Sequence, residues 1–306
     1  MISVATVAGL VTIQDSGRPL HRRDGVSPGG PLDAPSHHIA NAMIGNAADA
    51  ATLEGCLASI TLTFAAPTAF ALTGAVCEAA LDDRPIGSYE VHETRAGGTL
   101  RIGRVLRGAA WYLAVRGGID APRVLGSRAT LVRVGLGPSP LRRGDQLALA
   151  MDAPHAIRAA PVPAALRTAL DEAPIEWLPG TRIEALDQRA WATFFASTWQ
   201  IATASDRSGY RLDGPALPVV SSGALASEPT VAGAMQLPPD GRPIVLMAEH
   251  PTVGGYPVIG VVPTDALARL AQRPPRTAVR FVPTTVDESL AAQRHWADRF
   301  ADWCRA

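Results

Sequence analysis

The chain has 306 residues, 47% of them hydrophobic, with 28 basic side chains balanced by 28 acidic ones. That length predicts about two domains, and the charge balance gives no polyelectrolyte signal for nucleic acid. All 28 basic residues are arginines, which excludes Schiff-base chemistry, a biotinylated lysine and a Walker-type phosphate lysine on this chain. Arginine instead suits planar, bidentate recognition of carboxylates.

Two further features bear on compartment. No apolar run approaches the ~20 residues that span a bilayer, and the start "MISVATVAGLVTIQD" has neither the basic region nor the cleavage pattern of a signal peptide. Cys56, Cys77 and Cys304 are odd in number and widely spaced. They predict neither a disulfide framework nor a CxxC zinc site, and they fit a reducing, cytoplasmic setting.

In chain order, Asp33 is placed to cap a helix over "APSHHIANAMIG", with Gly45 ending it. The runs "SITLTF", "TAFALTG", "TLRIG" and "AWYLAV" are short and apolar, rich in β-branched residues or bounded by Gly, Pro, Asp or Asn. They read as strands, spaced as in a barrel or sandwich. The Ala- and Pro-rich stretch 151–166, "MDAPHAIRAAPVPAAL", is the candidate linker. Beyond it, "DQRAWATFFAST" and "TDALARLAQ" read as helices, while "PIVLMAE" and "AVRFV" read as strands. In the final helix, "VDESLAAQRHWADRF", the residues Val286, Leu290, Ala291, Trp296 and Phe300 form an approximate apolar stripe. A faint echo links "AWYLAVRGG" with "PIVLMAEHPTVGG" and suggests two related β domains.

Four clusters set polar residues beside glycines. The first, "TIQDSGRPLHRRDGVSPGGPLD" over 12–33, supplies Gln14, Asp15, Arg18, His21, Arg22, Arg23, Asp24 and Asp33. Loops this dense in charge and glycine build binding sites on rigid scaffolds; the plain alternative is a solvated loop. The second, "SDRSGYRLDGP" over 205–215, pairs Arg207 and Arg211 as a fork for a carboxylate, with Tyr210 as a hydrogen-bond donor or acid. An internal Asp–Arg pair holding a turn accounts for the same spacing equally well.

The third cluster is "SEPTVAGAMQLPPDGRP". Its "AMQL" is one residue from the Ala-Met-Lys-Met tetrapeptide of biotin carriers, but Gln236 stands where the acylated lysine belongs. Alternation puts Ala234 and Gln236 on one strand face and Met235 and Leu237 on the other. A buried Gln236 amide then needs a partner. The fourth cluster, "EHPTVGGYPVIG", holds Glu249, His250 and Tyr256 around Gly254 and Gly255. Adjacent Glu and His on a strand point to opposite faces, and neither this pair nor His37-His38 has chelating spacing, so no metal site is expected. A GxSxG elbow, a GxGxxG turn after a strand, HExxH and a P-loop are all missing.

Taken together, "VTIQDSGRPLHRRDGVSPGGPLDAPSHHIANAMIGN", "YLAVRGGID", "SDRSGYRLDGP" and "SEPTVAGAMQLPPDGRPIVLMAEHPTVGGYPVIGVV" resemble the biotin-dependent carboxyltransferase, or allophanate hydrolase subunit 2-like, family. That family includes the C subunit of bacterial 5-oxoprolinase, the sporulation kinase-inhibitor antagonist and part of the carboxyltransferase domain of urea carboxylase. The resemblance covers nearly the whole chain in order. One departure is Ser208, where many relatives carry Met.

The resemblance implies a mainly β fold of two cyclophilin-like β-barrel domains, drawn here as residues 1–155 and 156–306. It also implies a kinase-inhibitor-type partner of the B-subunit kind and, in 5-oxoprolinase, a lactam-utilisation-type A subunit. Three functions follow as expectations. The first is a C-subunit-like component of a complex that uses ATP to open 5-oxoproline to glutamate. The second is a carboxyltransferase acting on carboxybiotin carried by another protein, with a urea- or amide-like acceptor. The third is a regulatory module that binds a kinase-inhibitor-type protein. No cofactor is expected to be covalently bound, and no ATP motif is present. The candidate catalytic side chains are Tyr210, Gln236 and Asp206. The candidate binding residues are Gln14, Asp15, Arg18, Asp33, Arg207, Arg211, Gly254, Gly255 and Tyr256.

Overall fold

The computed structural model describes residues 1–150, 153–219 and 226–306. Its contacts divide the chain into two compact units. The first comprises Met1–Arg18, Gly29–Leu170 and Arg299–Ala306, and the second Pro19–Pro28 and Asp171–Asp298. The architecture is mainly β, with one eight-stranded barrel-type sheet in each unit, one a half-barrel and the other nearly closed.

In the first unit the strands are β1 (Ile2–Gln14), β2 (Thr52–Phe64), β3 (Thr68–Leu81), β4 (Arg84–Pro85), β5 (Val91–Thr94), β6 (Thr99–Val115), β7 (Ile119–Asp120) and β8 (Gln146–Leu149). They run in the order β4-β3-β6-β2-β1-β8-β7, with β5 paired to β3. The long antiparallel strands bury Val11, Ile13, Leu53, Ile60, Phe70, Leu72, Trp111 and Leu113 in one core. "TLRIG" and "AWYLAV", read from sequence as separate strands, are the two ends of β6. Its middle loses pairing to β2 between Ile102 and Ala110, and its register against β3 slips three times. Gly108 has φ +85 there, so bulging keeps one bent strand where hydrophobic runs suggested two. At Gly55, a Cβ would lie 2.1 Å from the Trp111 ring, so only glycine lets that indole pack on its cross-strand partner.

Helix α1 (Ala34–Met43) is capped as expected, Asp33 Oδ1 accepting from Ser36 N at 3.1 Å. The expected linker begins at Met151 and Asp152, which lie outside the described residues. The rest of it is tied to the first unit rather than strung free. His155 N donates to Gly45 O and Arg158 N to Met43 O, and Val162 and Leu166 are buried. The compact unit consequently runs on to Leu170, beyond the 155/156 boundary drawn from composition.

The second unit is built from shorter strands: β9 (Ile175–Pro179), β10 (Trp199–Ile201), β11 (Gly209–Asp213), β12 (Glu228–Pro229), β13 (Ala234–Gln236), β14 (Ile244–Leu246), β15 (Val253–Gly254), β16 (Val258–Val261), β17 (Ala278–Val279) and β18 (Phe281–Pro283). Eight of them order as β17-β10-β11-β14-β13-β16-β9-β18, and β12 pairs with β15 alone. Helices α2 (Gln188–Ala196) and α3 (Thr264–Ala271) fall where the patterns place them, α2 capped by Asp187. Trp177, Trp191, Phe194, Phe195 and Phe281 form an aromatic cluster.

Helix α4 (Val286–Arg305) is present over the expected segment, but its apolar stripe does not face a core. Val286 is 61% exposed and Leu290 41%, and Trp303 is its one buried residue. The stripe was too irregular to aim a single face inward.

Candidate functional site

The candidate residues divide between the units. In the first, Gln14 ends β1, fully buried, and its Nε2 donates to Thr12 Oγ1 at 3.0 Å and to the Thr130 carbonyl at 3.1 Å. Asp15 is a structural staple. Its carboxylate accepts from Gly17 N (2.9 Å), Ser127 Oγ (2.5 Å) and Arg128 N (2.6 Å). Arg18, 2% exposed, donates to the carbonyls of Val124 and Ala129. These contacts engage both charged side chains with the loop 124–129.

Asp33 does more than cap α1. Its Oδ2 accepts from Ser36 Oγ at 2.7 Å and its Oδ1 from Thr168 Oγ1 at 2.7 Å. Its backbone N–H donates to Tyr112 Oη, which donates onward to Glu54 Oε2 at 2.7 Å. Glu54 also accepts from Leu32 N. Burial pushes the Tyr112 phenol well above its ordinary range, and the Glu54 and Asp33 carboxylates add to that. Tyr112 is therefore a neutral donor that holds two buried acids in place. Glu54, Tyr112 and Thr168 were not singled out from sequence, since a single polar residue inside an apolar strand, like Glu54 or Tyr112, or in a loop, like Thr168, carries no local signal.

The second unit gathers the rest. Asp206 folds an Asx-type turn, accepting from Ser208 N (2.7 Å) and Gly209 N (3.2 Å). Tyr210 is buried, and its hydroxyl donates to the Ala271 carbonyl at 3.2 Å. The Arg207–Arg211 fork is not assembled. Arg207 Nε donates to Glu249 Oε1 at 2.6 Å in a buried ion pair. Arg211, on the exposed face of β11, lines a groove of about 290 Å³ with Asp213, Asp240 and Arg242. Arg207 lies in the bend before β11 and Arg211 within the strand, and spacing alone did not reveal that Glu249 would claim one guanidinium.

Gln236, in β13, is 5% exposed, and its Nε2 is enclosed without a hydrogen-bond partner among the described residues. It lies against Gly254 of β15, where a Cβ would come within 2.3 Å of Nε2 and 3.2 Å of Thr230 Cγ2. Glycine there is what makes room for the amide. Gly255 is exposed and Tyr256 is 46% exposed beside them.

Thr230, 2% exposed, bridges onward, its Oγ1 lying 3.1 Å from His250 Nδ1. Arg22, from the short 3-10 turn Pro19–Asp24, donates to the Thr230 carbonyl. His250 is 1% exposed, and burial first, then the Arg22 charge, lower its pKa. Gln236, Gly254, Thr230, His250 and Arg22 therefore form one connected cluster, flanked by the Arg207–Glu249 pair. Each lay in a polar segment visible in the sequence, but their convergence is tertiary. Among the described residues, no group of three or more His, Cys, Asp or Glu side chains is placed to hold a metal ion. Among those residues, too, no helix is long and apolar enough to cross a membrane.

The chain is thus mainly β, with a barrel-type sheet in each unit, and the second unit encloses a Gln236 amide that has no hydrogen-bond partner among the described residues. A family model described as carboxyltransferase domain, subdomain A and B, matches residues 24–283, and the chain belongs to that family. It is similar to the 5-oxoprolinase C subunit of Escherichia coli (strain K12), at 36% identity covering 96% of this chain and 94% of that protein. The Haemophilus influenzae protein of the same description is 35% identical over the same shares. Among solved structures it is similar to the Kluyveromyces lactis urea carboxylase, with a TM-score of 0.92 and 26% identity. That match covers 99% of this chain and 29% of the urea carboxylase, so this chain spans less than a third of that enzyme's length.

Proposed function

We propose that the chain is the C-subunit-like component of an ATP-dependent 5-oxoprolinase assembly, in which it binds the lactam or its activated intermediate. The observation that supports this most is end-to-end similarity to the 5-oxoprolinase C subunit, over 96% of this chain and 94% of the Escherichia coli protein. The site chemistry is compatible. The enclosed Gln236 Nε2 lacks an acceptor among the described residues, and a lactam carbonyl would supply one, relieving the cost of a buried unsatisfied donor. Partners of the lactam-utilisation type and the kinase-inhibitor type would bring the ATP chemistry, for which this chain has no motif. The test is to reconstitute the chain with those neighbours and assay ATP-dependent release of glutamate from 5-oxoproline. Release that requires every component is expected, and none from the complete set overturns the reading.

A second reading rests on the fold match to urea carboxylase. Here the chain would be a carboxyltransferase, with carboxybiotin delivered on another protein, since no lysine exists to carry it. Carboxyl transfer from a biotinylated carrier to an amide acceptor would support this reading against the first.

A further inference from the structure

Within the Gln236 cluster, the ring of His250 is fixed in one tautomer. Its Nδ1 lies 2.8 Å from the Pro251 carbonyl oxygen, which can only accept. Nδ1 must therefore carry the hydrogen. The Thr230 hydroxyl, 3.1 Å from Nδ1, spends its own proton on the same carbonyl. In the neutral ring this leaves the lone pair on Nε2, which has no partner among the described residues.

The surroundings keep the ring neutral. It is 1% exposed. The Arg22 charge, bound to the Thr230 carbonyl, further disfavours a charged ring, and the adjacent Glu249 is paired with Arg207. Thr230 also packs on Gly254, where the Gln236 amide ends. Thr230 thus joins the two groups, its Oγ1 at the His250 ring and its Cγ2 at the glycine where the Gln236 amide ends.

We propose that His250, through Nε2, is the proton acceptor of this site, acting on the water that adds to a lactam carbonyl held by Gln236. The inference rests on the lactam reading above. The water oxygen bonds to the carbonyl carbon while Nε2 takes the water proton. The lactam C–N bond then breaks and Nε2 returns that proton to the departing nitrogen. No electron transfer is involved, and His250 ends as it began. A positioned base contributes roughly 10²–10⁴-fold.

Two measurements test this. Nitrogen NMR of the labelled wild-type chain is expected to show His250 as the neutral Nδ1–H tautomer at pH 7, titrating below 6.5. A charged ring at pH 7, or an Nε2–H tautomer, overturns the proposal without reference to activity. In the reconstituted assembly, His250→Asn retains a donor to Pro251 but removes Nε2. It is expected to assemble and bind 5-oxoproline normally, to lose at least about 100-fold in turnover, and to lose the acidic limb of the pH–rate profile. A smaller loss, or a retained acidic limb, overturns the proposal. If His250→Asn does not fold, the wild-type tautomer and titration decide. Absence of glutamate release from the wild-type assembly would instead remove the lactam reading and leave the tautomer result standing.

Discussion

Arg207 and Glu249 form a buried ion pair, Nε to Oε1 at 2.6 Å, with side chains 4% and 2% exposed. Removing one member leaves the other charged without its partner in a dry setting, at a cost of about 3–5 kcal/mol. Arg207→Ala is thus expected to lower stability strongly in urea unfolding, whatever it does to ligand binding. The double variant Arg207→Met/Glu249→Met should lose much less, because no lone charge remains.

Gly254→Ala tests the packing of the Gln236 amide. The backbone at Gly254 needs no positive φ, yet the added methyl would stand 2.3 Å from Gln236 Nε2. The flexible amide is expected to move aside, so that folding survives within about 1–3 kcal/mol while 5-oxoproline affinity falls at least about tenfold. Calorimetry of the variant against wild type measures it, and unchanged affinity would separate the amide from ligand binding.

Acid should destabilise the first unit through His37. The ring is fully buried, bonded through Nδ1 to Thr52 Oγ1, and burial first, then His38, lower its pKa from 6.5 to about 3. The folded state thus holds the neutral ring, and the unfolded state takes up the proton. The stabilisation is complete above pH 6.5 and is lost as pH falls from 6.5 towards 3. It amounts to up to roughly 4–5 kcal/mol across that window. Urea unfolding at about pH 7 and about pH 4.5 is expected to show the loss, and His37→Gln should flatten it.

Asp33→Ala removes a helix cap and more. A lost N-cap alone costs about 1 kcal/mol, but Asp33 also receives Ser36 Oγ and Thr168 Oγ1. A loss of about 2 kcal/mol or more is expected in chemical denaturation, with Asp33→Asn recovering part of it.

Local chemistry was legible along the chain. The Asp33 cap and the helix Gln188–Ala196 with its Asp187 cap each follow from residues within one or two turns. The bent strand β6 was split by the sequence reading, because a bulge is stabilised by neighbouring strands rather than by its own residues. The stripe on α4 misled for a related reason. Periodicity states which face is apolar, not whether anything lies against it.

The candidate site divides along the same line. The sequence by itself determined the reagents: a chain without lysine, a glutamine in an apolar run, and a histidine among glycines. It determined the family too, because long motifs recur in order over most of the chain. Only the tertiary structure decided what those reagents are free to do. It committed Arg207 to Glu249, turned Arg211 to an exposed groove, and joined Gln236, Thr230 and His250 around Gly254. The reason is physical: burial and hydrogen-bond satisfaction depend on residues dozens of positions apart, and no local pattern records which of two polar groups will meet a partner first.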